Sequence, residues 1–374
     1  MRKEGSFDRV FSQNASTVSA ELPSLDSEEE KSITEEKAAV MAEQWKTLQR
    51  IGCFFGILVV LAFVMNAIIT SGLRRIKTSA FGASNQIMNG KVNAEIVVTG
   101  SSRALAHYDP RTIEQITGRT AFNLGRNGAQ TDMQVAFLKA YLAYNRKPKV
   151  VVHNLDAFTF VTTREVYDPA KYAPYLYDRS LYNALREIDP NIWRSRYVPL
   201  YGYVVEDMNF SWILGLKGFW GWSPREDCFL GFNPRSKKWT DDFRHLKANN
   251  PGGVRFEIEA AGIEVMEDLI RVCQQNGIEL IFVYSPEYIE MQALTKNRAD
   301  IFEHFHELAE RFDVPLWDYS SWKYAGNQDF FQNSQHLNAT GAAVFSDDVA
   351  NHLTAYFAAQ SNAAGLRRFP AQGP

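Results

Sequence analysis

Apolar and polar residues alternate along the chain in two recurring patterns. Short runs rich in β-branched residues, bounded by glycine or polar residues, predict buried strands at 94–100, 149–156, 278–286 and 314–320. Runs with apolar residues three or four positions apart predict helices at 131–144, 258–277, 298–312 and 340–359. Strands that alternate with helices favour a parallel sheet covered by helices on both faces. The predicted fold class is therefore α/β.

One apolar run is too long to be a strand or an ordinary core helix. The stretch from Ile51 to Leu73 contains no charged residue and is flanked by Arg50 and Arg74. As a helix it would be about 34 Å long, enough to cross the roughly 30 Å hydrocarbon core of a bilayer. A long polar stretch precedes it, so we expect a single-pass anchor rather than a cleaved signal peptide. The basic residues on either side do not fix its orientation.

The predicted elements divide the chain into a series of segments. These are a polar, acidic tail expected to be disordered and to become helical toward the membrane (1–45), the anchor (46–74), a connector (75–93), a first core part (94–160), an insertion (161–255), a second core part (256–360) and a disordered tail (361–374). The insertion holds five of the eight tryptophans and is too long for a plain loop. We expect it to form a cap whose Trp220, Trp222 and Trp239 contact substrate, although most of its aromatic residues would form its own core.

Charge and cysteine content narrow the function. A net charge of −3 without a dense basic stripe argues against nucleic-acid binding, and 13% aromatic residues argue against a disordered protein. Cys53 lies in the anchor, so only Cys228 and Cys273 could pair, and the sequence leaves that open. The seven histidines show no metal-ligand spacing. No metal or other cofactor is predicted.

Polar residues cluster where the predicted strands end. In a parallel sheet the loops after the strands build the site. Ser102 follows the first strand in "GSSR", where the N–H groups of a helix N-terminus would favour a developing negative charge. Gly128 lies in the tight "NLGRNG" loop, and Asn154 follows the next predicted strand in "HNLD". Their backbone or amide N–H groups could bind an oxyanion, or they could serve a helix entry and an Asx turn.

These blocks, with "NSQHLNATGA" near the C-terminus, resemble the SGNH, or GDSL-like, hydrolase superfamily. The resemblance implies a three-layer domain with Ser102 as nucleophile, His336 as base, and Gly128 and Asn154 as oxyanion donors. We also expect Arg103, beside the nucleophile, to contact substrate.

The carboxylate position of the family, three residues before His336, holds Asn333. An asparagine can accept the Nδ1–H of the imidazole but cannot stabilise the imidazolium as a carboxylate does. Asp329 or Asp318, both shortly upstream, could take the place of that carboxylate. Asn333 therefore leaves two hypotheses open, an active Ser102–His336 pair and a binding scaffold that has lost its catalysis.

The anchor, the SGNH-like core and the aromatic insertion together resemble a narrower group. Its members are membrane-anchored accessory proteins that work beside membrane-bound O-acyltransferases in exopolysaccharide O-acetylation, of the alginate type, or in D-alanylation of teichoic acid. The resemblance implies a cytoplasmic N-terminus, a body outside the inner membrane (periplasmic in a Gram-negative cell) and a polysaccharide or other cell-envelope acceptor. The reaction would be acyl transfer to that acceptor, or esterase cleavage of it.

Overall fold

A computed structural model describes residues 27–205, 210–225, 228–236, 238–240 and 242–368. The helices are α1 (Ser27–Leu73), α2 (Ser79–Met88), α3 (Ser102–His107), α4 (Pro110–Thr117), α5 (Thr131–Tyr144), α6 (Arg179–Ile188), α7 (Trp193–Tyr197), α8 (Tyr201–Val204), α9 (Ser211–Phe219), α10 (Asp242–Asn249), α11 (Ala260–Gln275), α12 (Ile289–Leu294), α13 (Arg298–Phe312) and α14 (Ala339–Arg368). Short 3₁₀ turns lie at Pro169–Lys171, Ala173–Tyr175, Pro190–Ile192 and Gln328–Phe330. The strands are β1 (Ile96–Thr99), β2 (Ala121–Asn123), β3 (Val150–Leu155), β4 (Glu279–Tyr284) and β5 (Leu316–Asp318).

The strands form one sheet in the order β2-β1-β3-β4-β5, and every neighbouring pair is parallel. In register, Val97 lies beside Phe122 on one side and Val151 on the other. The predicted parallel α/β fold is confirmed. The strand β2 was not among the predicted strands.

Successive residues of each strand face opposite sides of the sheet, as the strand period requires. Val97 packs into a core cluster with residues of α5, α11 and α13, whereas Ile96 and Val98 pack into a second cluster with residues of α4 and α14. Helices therefore cover both faces, giving the expected three layers. Cys273 is buried in the first cluster, and no disulfide joins it to Cys228 in the described part of the chain.

Helix α1 is long and apolar enough, over Glu28–Leu73, to cross a membrane by length and composition. It starts at Ser27, so the helix that we expected only toward the membrane extends over all of 27–45, where disorder was also expected. Residues 1–26 lie outside the described residues. Acidic residues Glu28 to Glu30 in the first turn favour the helix start. Residues Met1–Leu61 and Ala62–Pro374 form two compact units. At the other end of the chain α14 extends to Arg368, so the tail predicted for 361–374 is helical over its described part.

The segment 75–93 is a packed element rather than the expected connector. It contains α2, which buries Phe81 and Ile87. The Asn85 side chain donates to the carbonyl oxygens of Leu73 and Ile76, each at 2.9 Å. This amide satisfies backbone groups left over where α1 ends, and so it ties α2 to the last turn of α1.

The insertion 161–255 packs on two parts of the second unit. Its first portion lies on α5, with ring contacts such as Phe137 on Tyr172. Helix α9 packs on the end of α1 so closely that a Cβ at Gly72 would lie 1.7 Å from the carbonyl oxygen of Gly215. Small residues permit such an approach of two helix backbones.

A later part of the insertion, residues 228–236, runs across the carboxyl end of the sheet. The N–H of Asn123 donates to the Leu230 carbonyl, and the N–H of Asn233 donates to the Leu105 carbonyl, at 2.9 and 3.0 Å. The N–H of Ala339 donates to the carbonyl of Arg235 at 2.8 Å. The insertion thus reaches β2, α3 and the start of α14 together.

Candidate active site

Ser102 begins α3 directly after β1. Strand β1 lies between β2 and β3. The chain leaves β1 toward one edge of the sheet to form β2 and then crosses back to form β3 on the other side. Such a change of direction is the usual place for a site in an open parallel sheet. The turn requires Gly100, whose φ is +145° and whose Cβ would lie 2.7 Å from that of Ala104. Ser101 caps α3 by accepting the Arg103 N–H through its side chain.

His336 lies in the loop before α14 and meets Ser102 from 234 residues away in the chain, with Nε2 of the ring 2.7 Å from the serine Oγ. Nδ1 of the same ring lies 3.0 Å from Oδ1 of Asn333. The structure therefore brings together the serine, the histidine and the asparagine that the sequence singled out, in the serine–histidine–acceptor arrangement of a nucleophile and its base.

The contacts of Asn333 decide which imidazole nitrogen carries the proton. Its Oδ1 also accepts the backbone N–H groups of Gln335 and His336, at 3.1 and 2.9 Å. Two backbone donors can only face an oxygen, so the amide orientation follows from the network. The ring must then donate through Nδ1–H, which leaves the Nε2 lone pair to accept the Ser102 proton.

Burial lowers the pKa of His336 to about 3, and the positive charges of Arg235 and Arg103 add to that shift. The ring is therefore neutral at pH 7, as a general base must be, but its protonated form is strongly disfavoured. Neither Asp329 nor Asp318 is placed to stabilise the protonated form of His336. Nδ1 already faces Asn333, Asp329 is exposed in the 3₁₀ turn Gln328–Phe330, and the carboxylate of Asp318 accepts the N–H of Ser320 at 2.8 Å. The expectation that Asp329 acts as the catalytic carboxylate is wrong.

His107 is a supporting residue that sequence reasoning missed. Its Nε2 accepts the backbone N–H of Leu337 at 3.0 Å, which fixes Nδ1 as the donor to Ser285 Oγ at 2.9 Å. Burial lowers its pKa well below the usual value, and the charge of Arg103 adds to the shift. A neutral His107 thus holds the loop that carries His336. Only the fold brings these residues together, so no local motif could have identified it.

We had expected Arg103 to contact substrate, but it lies buried beneath the site. It is 3% exposed, and its guanidinium lies 3.2 Å from the Asp156 carboxylate and donates to the Ser285 carbonyl. Burial raises the pKa of Asp156, and the charge of Arg103 opposes that rise. This buried ion pair joins the ends of β1, β3 and β4, so the role of Arg103 is structural.

The two expected oxyanion donors differ in outcome. Asn154 is 1% exposed; its amide group donates to the Leu155 carbonyl at 3.1 Å, and its oxygen accepts the Tyr108 hydroxyl at 2.8 Å. Both ends of this side chain are committed inside the fold, so its oxyanion role is wrong. Gly128 has a φ of +71° and approaches the Tyr167 ring. Its role as a donor stays a prediction.

The three tryptophans expected to contact substrate lie in two different places. Trp239 is partly buried, 4.7 Å from the Tyr288 ring, and the N–H of the next residue, Thr240, donates to the Gln332 carbonyl in the loop of His336 at 2.9 Å. Its contact with substrate stays a prediction. Trp220 and Trp222 are exposed just after α9, where the Phe219 carbonyl accepts a hydrogen bond from Arg75 at 2.8 Å. Their neighbours are therefore the residues that follow α1, which corrects the prediction. Over the described residues, no cluster of three or more His, Cys, Asp or Glu side chains is arranged to hold a metal ion.

Comparison with known proteins gives similarities in solved structures only. No family model matches the chain, and no curated protein matches it. A protein assigned to the lipolytic G-D-S-L family, from Desulfitobacterium hafniense DCB-2, is similar at 10% identity and a TM-score of 0.35, over 69% of this chain and 99% of its own. An acetyl xylan esterase is similar at 11% identity and a TM-score of 0.36, over 69% and 98%. A GDSL-like lipase from Bacteroides thetaiotaomicron VPI-5482 is similar at 9% identity and a TM-score of 0.31, over 70% and 87%.

Proposed function

We propose that this protein is a membrane-anchored, serine-dependent acyltransferase or esterase of the cell envelope. The observation that carries the proposal is the 2.7 Å contact between Ser102 Oγ and His336 Nε2, with Nδ1 of the same ring on Asn333 Oδ1. This arrangement fixes the tautomer that accepts a proton from serine.

In the proposed reaction His336 Nε2 takes the Ser102 proton while Oγ attacks the acyl carbonyl. The alcohol or donor leaves with that proton, and the acyl group stays on Ser102. A hydroxyl of the acceptor, or water, then attacks the acyl-serine while His336 takes its proton, and the serine is restored. The backbone N–H groups of Ser102 and Gly128 are the proposed oxyanion donors.

The proposed setting follows from α1 and from the family resemblance. We infer that α1 anchors the chain in the inner membrane, with the N-terminus cytoplasmic and the body outside. The acceptor would be a polysaccharide or another envelope polymer, and a membrane-bound O-acyltransferase would supply acyl groups. The long apolar stretch of α1 supports the anchoring.

Asn333 favours a second function, a binding scaffold of an acylation complex with little or no catalysis. Without a carboxylate, and with two arginines acting on it, the imidazolium of His336 is poorly stabilised. In this alternative the Ser102–His336 contact is a remnant of the fold.

The test is p-nitrophenyl acetate hydrolysis by the full-length protein in detergent. We expect Ser102→Ala and His336→Ala to abolish the burst and the turnover, and matched changes at exposed positions, Ser361→Ala and His306→Ala, to retain them. Activity that survives Ser102→Ala would refute the nucleophile. A folded wild type without activity would favour the scaffold.

A further inference from the structure

A pocket of about 180 Å³ lies between α3, the loop after β2 and residues 228–235 of the insertion. Its lining includes three basic residues, Arg126, Lys171 and Arg235, and three asparagines. None of the described residues that line it carries a carboxylate. The pocket is therefore electropositive, and its basic groups differ in how they are satisfied.

Arg126 is only 8% exposed and lacks a counter-ion among the described residues. One guanidinium nitrogen, Nη1, donates to Ser84 Oγ at 3.0 Å, and the group stacks 4.1 Å from the Phe137 ring centre. Its buried Nε and Nη2 have no hydrogen-bond partner in the described part of the chain. Buried charges are normally paired, so these two donors point to a group that the described residues do not supply.

Arg235, which also lines the pocket, likewise has a buried guanidinium nitrogen without a hydrogen-bond partner. Its Nη2 donates to Asn127 Oδ1 at 2.9 Å, whereas its buried Nε has no partner among the described residues. Lys171, by contrast, pairs with Asp168 at 2.8 Å. The buried Arg103 also has an Nε without a partner, but its charge faces the carboxylate of Asp156. No carboxylate among the described residues pairs in this way with Arg126 or Arg235.

The pocket adjoins the Ser102–His336 pair through two of its lining residues. Leu105 lies one turn after Ser102 on α3. The carbonyl of Arg235 accepts the N–H of Ala339 at 2.8 Å, three residues after His336. The positive charge of Arg235 also helps to lower the pKa of His336. An anion in the pocket would therefore lie next to the elements that carry Ser102 and His336.

We propose that this pocket binds an anionic substituent of the substrate, a carboxylate or a phosphate, with Arg126 and Arg235 as its ligands. Guanidinium groups bind both anions with paired, planar hydrogen bonds. The volume of about 180 Å³ is below that of pockets that enclose a whole ligand, so the pocket would hold one charged substituent while the rest of the substrate lies outside. That the bound molecule is a substrate rests on the proposed function; the anion site does not.

Binding is measured by calorimetry on the full-length Ser102→Ala protein in detergent, so that no turnover occurs. The probes are glucuronate for the carboxylate, inorganic phosphate for the phosphate, and glucose as the neutral match to glucuronate. We expect one of the two anions to bind and glucose not to bind. Arg235→Gln should weaken that binding at least tenfold, whereas Arg111→Gln, a change at an exposed arginine, should leave it unchanged.

A second variant separates binding from folding. Arg126→Met removes an unpaired buried charge, so it should raise the melting temperature without ligand and abolish the further rise that the bound anion gives. If neither anion binds, or if Arg235→Gln and Arg126→Met bind the anion as tightly as the Ser102→Ala protein does, the anion site is refuted. Anion binding by a protein that cleaves no ester would refute the proposed catalysis and support the anion site. Ester cleavage without anion binding would support the catalysis and refute the anion site.

Discussion

Replacing Asn333 by aspartate tests how the base of this site works without a carboxylate. Oδ1 of Asn333 lies 3.0 Å from Nδ1 of His336 and also accepts two backbone N–H groups. Aspartate has nearly the same shape, and one of its oxygens can keep all three contacts. The change therefore adds a negative charge beside the imidazole with little rearrangement.

The size of the effect follows from the pKa of His336, which starts at about 3. An opposite charge at this distance raises a histidine pKa by about 1–3 units, and each unit is about 1.4 kcal/mol of imidazolium stabilisation. The transition state holds only part of that positive charge, so we expect kcat/KM at pH 7 to rise about tenfold to hundredfold. The effect is smaller than the loss of about 10⁴ known for triad aspartates changed to asparagine, because Asn333 already selects the correct tautomer.

The assay is p-nitrophenyl acetate hydrolysis as a function of pH, with Asn351→Asp on the exposed face of α14 as the matched control. In the wild type the rate should be level from about pH 5 to 8, since His336 remains neutral there. In Asn333→Asp the acidic limb should move to higher pH together with the gain in rate. A variant with the rate and profile of the wild type would refute the electrostatic role of this position.

Three further changes test the support of the site and of α1. Burial lowers the pKa of His153 to about 3, so the unfolded chain binds a proton that the folded chain does not. The free energy of unfolding should therefore fall by about 1.4 kcal/mol per pH unit from this residue as pH drops below about 6.5. Urea titrations at several pH values should show that the free energy of unfolding depends less steeply on pH in His153→Gln, and an equal pH dependence in the two proteins would contradict the reasoning. Arg103→Met should cost about 3–5 kcal/mol in the same titration by leaving Asp156 buried and unpaired, and adding Asp156→Asn should recover part of that loss; a double variant no more stable than the single one would count against the ion pair. Gly72→Leu should lower the melting temperature, because a Cβ there meets the Gly215 carbonyl, whereas Gly52→Leu, with open space around it, should not; equal melting temperatures would reject the packing of α9 on α1.

Local patterns predicted most of the layered core. Helices over Thr131–Tyr144 and Arg298–Phe312 have the predicted bounds, because their apolar spacing continues over several turns. The strand Ala121–Asn123 was missed because three residues show no period. The helix Ser79–Met88 was missed since its burial depends on α1 and the insertion, which are distant in the sequence.

The candidate site was predictable only where residues follow a strand or form a recognisable block. Ser102 follows the first predicted strand, and His336 belongs to a recognisable block. Arg235 arrives through the insertion, and His107 acts on the loop of His336 from 230 residues away, so neither has a local signal. Asn154 was overinterpreted for a related reason: an amide after a strand can face a substrate or the protein interior, and burial decides between them.

The burial of the last turns of α1 limits where the apolar helix can be cut from the rest of the protein. Ile69, Leu73 and Ile76 lie in one apolar cluster with Phe81 and Tyr203, all nearly inaccessible to water. A protease that cut just before α2 would remove Ile69, Leu73 and Ile76, three of the six buried residues of this cluster, and would expose the other three. Cleavage before Ala62 would keep the cluster whole. A stable fragment without the apolar stretch would therefore have to retain the last turns of α1.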